Sequence, residues 1–151
     1  MSILDKASDS SAVLLKKGVD DEAALQRSCP CGSGKCYSEC CAPLHAGVAV
    51  AQTAEQLMRS RYSAYVFKLA DYLAQTWAEK TRPVEISFEE NLSWQKLTIL
   101  QAHKGRAKDK KGSVTFCAEF QQGLERFRMT EKSRFERDKQ GCWVYVDGEF
   151  Y

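Results

Sequence analysis

Gly112-Ser113-Val114-Thr115-Phe116-Cys117-Ala118-Glu119-Phe120-Gln121-Gln122-Gly123-Leu124-Glu125-Arg126-Phe127-Arg128-Met129-Thr130-Glu131-Lys132-Ser133-Arg134-Phe135-Glu136-Arg137 is the stretch that decides the fold. In its first half Val114, Phe116, Ala118 and Phe120 alternate with Thr115, Cys117 and Glu119. In its second half Phe127, Met129, Glu131, Ser133 and Phe135 alternate with Arg126, Arg128, Thr130, Lys132 and Arg134. Successive side chains of a strand point to opposite faces, so a period of two marks half-buried strands. Gln122-Gly123 supplies a turn between the halves, and the pair reads as an antiparallel hairpin. One face of the second strand is cationic or polar and must meet water. The other is apolar except at Glu131 and Ser133. A buried ionised carboxylate costs several kcal/mol unless paired, so Glu131 requires a partner or a wet cavity.

The same grammar extends to both sides. Leu97 to His103 alternates weakly, and Trp143 to Val146 makes a fourth strand. Turn residues separate them at Lys104-Gly105 through Lys111-Gly112 and at Asp138 to Gly141, and Asp147-Gly148 reads as a turn that ends the last strand. Upstream of Pro83 the period becomes helical. Thr53 and Gln56 have the spacing of a helix N-cap and its third residue. Leu57, Met58, Tyr62, Ala64 and Tyr65 then share one broad face. A second helical stretch over Ala70 to Ala78 carries Tyr72, Leu73 and Trp77, and Pro83 prevents its continuation. Helices followed by a meander of about four strands argue an α+β layer fold rather than a βαβ sheet.

The totals fit one ordinary domain with a small appendage: 151 residues, 44% hydrophobic and 28% charged. A net charge of +2 gives no field that favours nucleic acid or anionic lipid. No apolar run approaches the ~18 residues that span a bilayer. Residues 1–28 read as a polar, partly disordered tail with one or two helical turns over Asp20 to Gln26, and without the apolar core of an export signal. Seven cysteines without such a signal imply a reducing, cytoplasmic setting.

Those cysteines are unevenly spread. Cys29-Pro30-Cys31-Gly32-Ser33-Gly34-Lys35-Cys36-Tyr37-Ser38-Glu39-Cys40-Cys41 puts a C-x-C pair and a C-C pair on one glycine-broken loop. Cys29, Cys31, Cys40 and Cys41 are four soft donors suited to a tetrahedral ion, and Gly32 and Gly34 let the backbone turn sharply enough for them to converge. The other readings are small buried cysteines and a redox pair, although no strand precedes Cys29 as redox pairs usually require. Cys36 reads as a bystander thiol, Cys117 and Cys142 as residues of strands, and His45 as a loop residue that would become the fourth ligand if Cys41 faced inward.

With these residues read, the segment resembles the SEC-C motif, C-P-C-G-S-G-x-x-[YF]-x-x-C-C, known from the C-terminal tail of the protein-translocation ATPase SecA. The rest resembles the YchJ-like bacterial family, through Leu57-Met58-Arg59-Ser60-Arg61-Tyr62-Ser63-Ala64-Tyr65, Asp71-Tyr72-Leu73 with Thr76-Trp77, Glu131-Lys132-Ser133-Arg134-Phe135 and Trp143-Val144-Tyr145-Val146-Asp147-Gly148. The resemblance implies a zinc knuckle over 29–45, with Zn2+ on Cys29, Cys31, Cys40 and Cys41. It further implies a nuclear transport factor two-like cone over 53–151, with helices packed on a curved antiparallel sheet. The family carries no established activity, and its members with a second SEC-C motif at the C-terminus differ from this chain.

Two functions compete on this footing. In the first, the knuckle is a rigid docking surface for a protein partner, with Lys35 and the basic loop Lys104 to Lys111 adding contacts; the loop is otherwise a solvated hairpin turn. In the second, the cone holds a small molecule, walled by Tyr62, Trp77 and Trp94, with Glu131 and Ser133 pointing inward and Glu131 as a candidate general base. The competing assignment for Glu131 is an ion pair with Arg59 or Arg61. The adaptor is the first expectation. A cavity of a few hundred Å3 lined by Glu131 and lacking an arginine neighbour would favour the second; a filled cone with Glu131 in contact with Arg59 or Arg61 would favour the first.

Overall fold

The structure is a computed structural model that describes residues 21–151, so most of the polar tail expected over 1–28 lies outside the described residues. Helix α1 spans Glu22–Gln26 and is capped by the Asp21 side chain, which accepts from the Ala23 N–H. The knuckle follows, with a 3-10 turn at Tyr37–Glu39 and helix α2 at Ala42–His45. Helix α3 runs over Ala54–Val66 and α4 over Ala70–Gln75. Four strands complete the chain: β1 Leu92–Lys104, β2 Lys111–Gln122, β3 Glu125–Arg137 and β4 Trp143–Phe150. They pair antiparallel in the order β1-β2-β3-β4, a plain meander.

The start of α3 follows from its cap. Thr53 accepts from the Gln56 N–H at 3.1 Å, and the Gln56 side chain reaches back to the Gln52 N–H at 2.6 Å. The buried face of α3 (Leu57, Met58, Tyr62 and Ala64) packs with Leu97, Val114, Phe116, Ala118, Phe135 and Trp143 into one core. Each fully buried side chain of this size contributes about 1.5–3 kcal/mol. The β2–β3 pairing is unbroken from Lys111↔Glu136 to Gln122↔Glu125, so the alternation read from sequence survives intact on both strands. Register shifts interrupt β1 near Trp94 and Ile99 and the β3–β4 pairing at Arg134/Phe135, where Val146 of β4 is the extra residue. Such bulges bend a strand and raise its twist, which curves the sheet around α3.

The β1–β2 hairpin also anchors α3. Ala54 N–H donates to the Gly105 carbonyl at 2.9 Å. A Cβ at Gly105, whose φ is +76°, would press on Ala54, so this contact needs glycine on both counts.

Three expectations are corrected. Helix α4 stops at Gln75 instead of Ala78, because the backbone there joins β4: Tyr145 N–H donates to the Thr76 carbonyl and Ala78 N–H to the Tyr145 carbonyl, each at 2.8 Å. Strand β4 does not turn at Asp147-Gly148 but continues to Phe150. Asp147 there pairs with Arg134, and Gly148 lies opposite Ser133, where a Cβ would collide with the Glu131 carboxyl. Cys142 falls in the turn before β4, not on a strand, and its N–H donates to the Asp138 carboxylate.

Candidate functional site

Two clusters gather the chemically active side chains, on opposite faces of α3. In the knuckle, Cys29 N–H bonds to the Lys35 carbonyl and Gly32 N–H to the Cys29 carbonyl, closing a tight loop through Gly32 and Gly34 at φ +79° and +89°. The 3-10 turn then returns Cys40 and Cys41 to the loop. The Sγ atoms of Cys29, Cys31, Cys40 and Cys41 all lie within 4.8 Å of one another. Cys31 and Cys40 are 3.6 Å apart, Cys40 and Cys41 3.9 Å. A tetrahedron with metal–sulfur bonds of about 2.3 Å has edges of about 3.8 Å, so the cluster is compatible with a metal site. Ser33 Oγ lies 3.1 Å from the Cys40 sulfur.

The thiols also compete for protons. Hydrogen bonds from Cys29 and Cys41 hold Cys31 well below the ordinary thiol range, while the Cys29 thiol is pushed up to about 12 by its bond to Cys31. Cys41 is raised by the same two neighbours and by burial. A cation among the sulfurs would remove this competition. Cys36 lies outside the cluster, at the entry of the 3-10 turn.

The knuckle is fastened to the body of the molecule. Arg59 of α3 donates to the Cys31 carbonyl at 2.7 Å and pairs with Glu55 at 3.1 Å. His45, expected as a loop residue, ends α2 and is buried between Tyr37 and α3. Its Nε2 faces the Ser60 carbonyl at 2.8 Å and so carries the proton; its Nδ1 then accepts from the Tyr37 hydroxyl at 2.6 Å. Burial lowers the imidazole to about 4 and keeps it neutral. With both nitrogens engaged, it does not join the sulfurs.

The second cluster lines a cavity of about 530 Å3 between the inner face of the sheet, α3 and the extended segment 83–92. Arg61, Tyr62, Trp77, Trp94, Glu131 and Ser133 all line it. Arg59 does not. Residues two apart on a helix differ by about 200°, so Arg61 faces the cavity while Arg59 faces the knuckle.

Glu131 is only 6% exposed. Its Oε2 accepts from Ser133 Oγ and from the Tyr145 hydroxyl, each at 2.9 Å. The expected ion pair with Arg59 or Arg61 is absent among the described residues. Arg61 Nη1 instead donates to the Leu73 carbonyl at 2.8 Å and Thr76 Oγ1 at 2.7 Å. Its guanidinium lies 4.8 Å from the ring centroids of both Trp77 and Tyr145. Tyr145 therefore touches both charges, one through its ring and the other through its hydroxyl.

The remaining wall is aromatic and aliphatic. Trp94 meets Tyr62, Tyr65 and Phe120 at centroid distances of 5.9, 6.2 and 5.3 Å. Burial raises the hydroxyls of Tyr62, to about 12, and of Tyr65 and Tyr145. Trp77 Nε1 is the single fully enclosed side-chain nitrogen or oxygen without a hydrogen-bond partner among the described residues. Sequence reasoning missed Tyr65, Tyr145 and Gly148 as parts of this site. Only the helical phase of Tyr65 pointed that way; the bulge at Arg134/Phe135 hides the phase of Tyr145.

A family model described as "YchJ, middle NTF2-like domain" matches residues 53–148. The chain belongs to the YchJ-like family. Its relatives in that family include UPF0225 proteins of Streptomyces avermitilis, 47% identical over 82% of this chain and 85% of the relative, and of Streptomyces coelicolor, 46% identical over 81% and 94%. Among solved structures, the solution structure of a SEC-C motif containing protein from Rhodopseudomonas palustris is similar at a TM-score of 0.70 and 35% identity, over 80% of this chain and 96% of that one. A crystal structure of a SEC-C motif containing protein from Psychrobacter arcticus shares the fold at a TM-score of 0.64 and 22% identity, over 83% of each chain. The YchJ-like, nuclear transport factor two-like α+β architecture is thereby shown, together with a cysteine cluster that fits metal binding. No helix among the described residues is long and apolar enough to cross a membrane.

Proposed function

We propose that the chain is a zinc-stabilised, small-molecule-binding cone. Zn2+ held by Cys29, Cys31, Cys40 and Cys41 fills its coordination sphere with sulfur, so the metal organises the knuckle and leaves no position for a substrate. The cone supplies the binding site. One observation carries this reading: Glu131 is buried beside a cavity of about 530 Å3, bonded by Ser133 and Tyr145 and without an arginine in contact. Small-molecule sites are concave, mostly apolar and about 300–1,000 Å3, with a few placed polar groups. An ion pair serving only to tie helix to sheet would have had Arg61 or Arg59 against that carboxylate.

The docking role expected of the knuckle draws on its motif alone, and the ties of Arg59 and His45 to this segment favour a structural part over a free arm. The basic loop between β1 and β2 is likewise pinned: Arg137 donates to the carbonyls of Asp109 and Ala107, at 3.1 and 2.7 Å. Glu131 as a general base is the enzymatic extension of the cone reading, since its Oε2 partners leave Oε1 for a ligand. Seven cysteines, none in a disulfide, support a reducing, cytoplasmic setting.

The test is a fragment screen by amide NMR on the full, metal-loaded chain. Apolar fragments should shift Tyr62, Trp94 and Glu131 together and spare the knuckle. Shifts confined to the knuckle, or no shifts in the cone, would overturn the ligand-binding reading.

A further inference from the structure

The polar groups of the cavity are unevenly satisfied, and the imbalance has a chemical form. Arg61, 3% exposed, spends Nη1 on Leu73 and Thr76. The Tyr65 hydroxyl is the other group that hydrogen-bonds the guanidinium, so five N–H donors meet three acceptors among the described residues. The partnerless Nε1 of Trp77 belongs to the ring stacked on the same guanidinium. This end of the cavity is short of acceptors. A buried donor left unmade costs about 1–3 kcal/mol, and more beside a charge.

Glu131 has the opposite shortage. Both of its hydrogen bonds fall on Oε2, and Oε1 has none among the described residues. The carboxylate is therefore short of a donor. Because Tyr145 contacts Arg61 with its ring and Glu131 with its hydroxyl, the two shortages lie side by side at one end of the cavity. The walls beyond them, Trp94, Phe116, Phe120 and Met129 with the ring of Tyr62, are largely apolar and aromatic. At the rim Glu85 is exposed, and Glu89 accepts from Gln122 at 2.8 Å.

We propose, resting on the ligand-binding reading, that the cone takes an α-amino acid with a large apolar or aromatic side chain. Its carboxylate meets the open edge of Arg61, its ammonium donates to Glu131 Oε1, and its side chain lies against Trp94 and Phe120. Arg61 and Glu131 cancel one another in charge, so a ligand with a single charged group would satisfy one and repel the other. A dipolar head satisfies both. The rim carboxylates add attraction for the ammonium and none for a simple anion.

Isothermal titration of the full, metal-loaded chain with L-phenylalanine, phenethylamine and 3-phenylpropionate tests the class. L-Phenylalanine should bind at least tenfold tighter than either single-headed probe. Glu131→Gln should weaken L-phenylalanine at least tenfold and, by removing the charge that repels an anion, bind 3-phenylpropionate at least as tightly as the wild type does. The comparison of three probes on the wild-type chain stands even if the variant fails to fold. Either single-headed probe matching L-phenylalanine overturns the amino-acid assignment and leaves the ligand-binding reading intact. So does a cone that binds apolar fragments but none of the three probes. A cone that binds neither fragments nor probes overturns both.

Discussion

The knuckle and the cavity face away from each other across α3, and they treat polar groups in opposite ways. In the knuckle, donors and acceptors are directed at one another: sulfur at sulfur, Arg59 at the Cys31 carbonyl, His45 at Tyr37 and Ser60. In the cavity the bonding is incomplete among the described residues, and Arg61, Trp77 and Glu131 each keep capacity unspent. A saturated cluster holds a fold together. On the proposed reading an unsaturated one stores binding capacity, because a buried group that has already lost its water gains most from a ligand that replaces it. Arg59 and Arg61, two residues apart, divide between these roles.

The contrast is most open to attack at the metal. On the proposed zinc site, the wild-type chain should carry one zinc and Cys40→Ser less than a tenth of that, read by mass spectrometry of the native protein. It should also cost about 3 kcal/mol or more in denaturant unfolding, since structural zinc contributes folding energy outright. A variant that keeps both its metal and its stability would remove the knuckle from the list of structural clusters.

Next in size is a pH effect. His45 is lowered from 6.5 to about 4 by burial, so the unfolded chain binds the extra proton between those values. Stability is then complete above about pH 6.5 and falls as pH drops through this window, by about 3 kcal/mol once pH reaches about 4. Because acid also strips metal from thiolates, the informative quantity is the difference in slope between wild type and His45→Gln. The variant should lose the extra decline over this window, measured by unfolding at stepped pH. Equal slopes would mean that the imidazole is not held neutral in the fold.

Gly148→Ala probes the border of the cavity. Its Cβ would enter the space of the Glu131 carboxyl, and such overpacking costs about 1–3 kcal/mol. Thermal unfolding should register the loss while zinc content stays at one per chain. A neutral outcome would show that the carboxyl has room to move. The smallest effect belongs to Glu131→Gln. The amide oxygen can still accept from Ser133 and Tyr145, and Arg61 loses a neighbouring charge but no hydrogen bond, so stability should fall by about 1 kcal/mol. A cost of several kcal/mol would instead reveal dependence of Arg61 on that charge.

Much of this molecule was written locally. The alternation from Gly112 to Arg137 set two strands and their shared turn, Thr53 and Gln56 set the start of α3, and the cysteine spacing brought four sulfurs together. These features depend on neighbours within a few residues, where backbone geometry alone fixes which side chains share a face. Tertiary structure decided the rest. It drew residues 76–78 out of helical bonding to pair with Tyr145, carried β4 past Asp147-Gly148, and gave Glu131 a tyrosine where an arginine was expected. Those outcomes turn on contacts between segments far apart in the chain and on the bulge that resets the phase of β4. Periodicity says that Glu131 points inward; only the packing of α3 and β4 around it determines what it meets there.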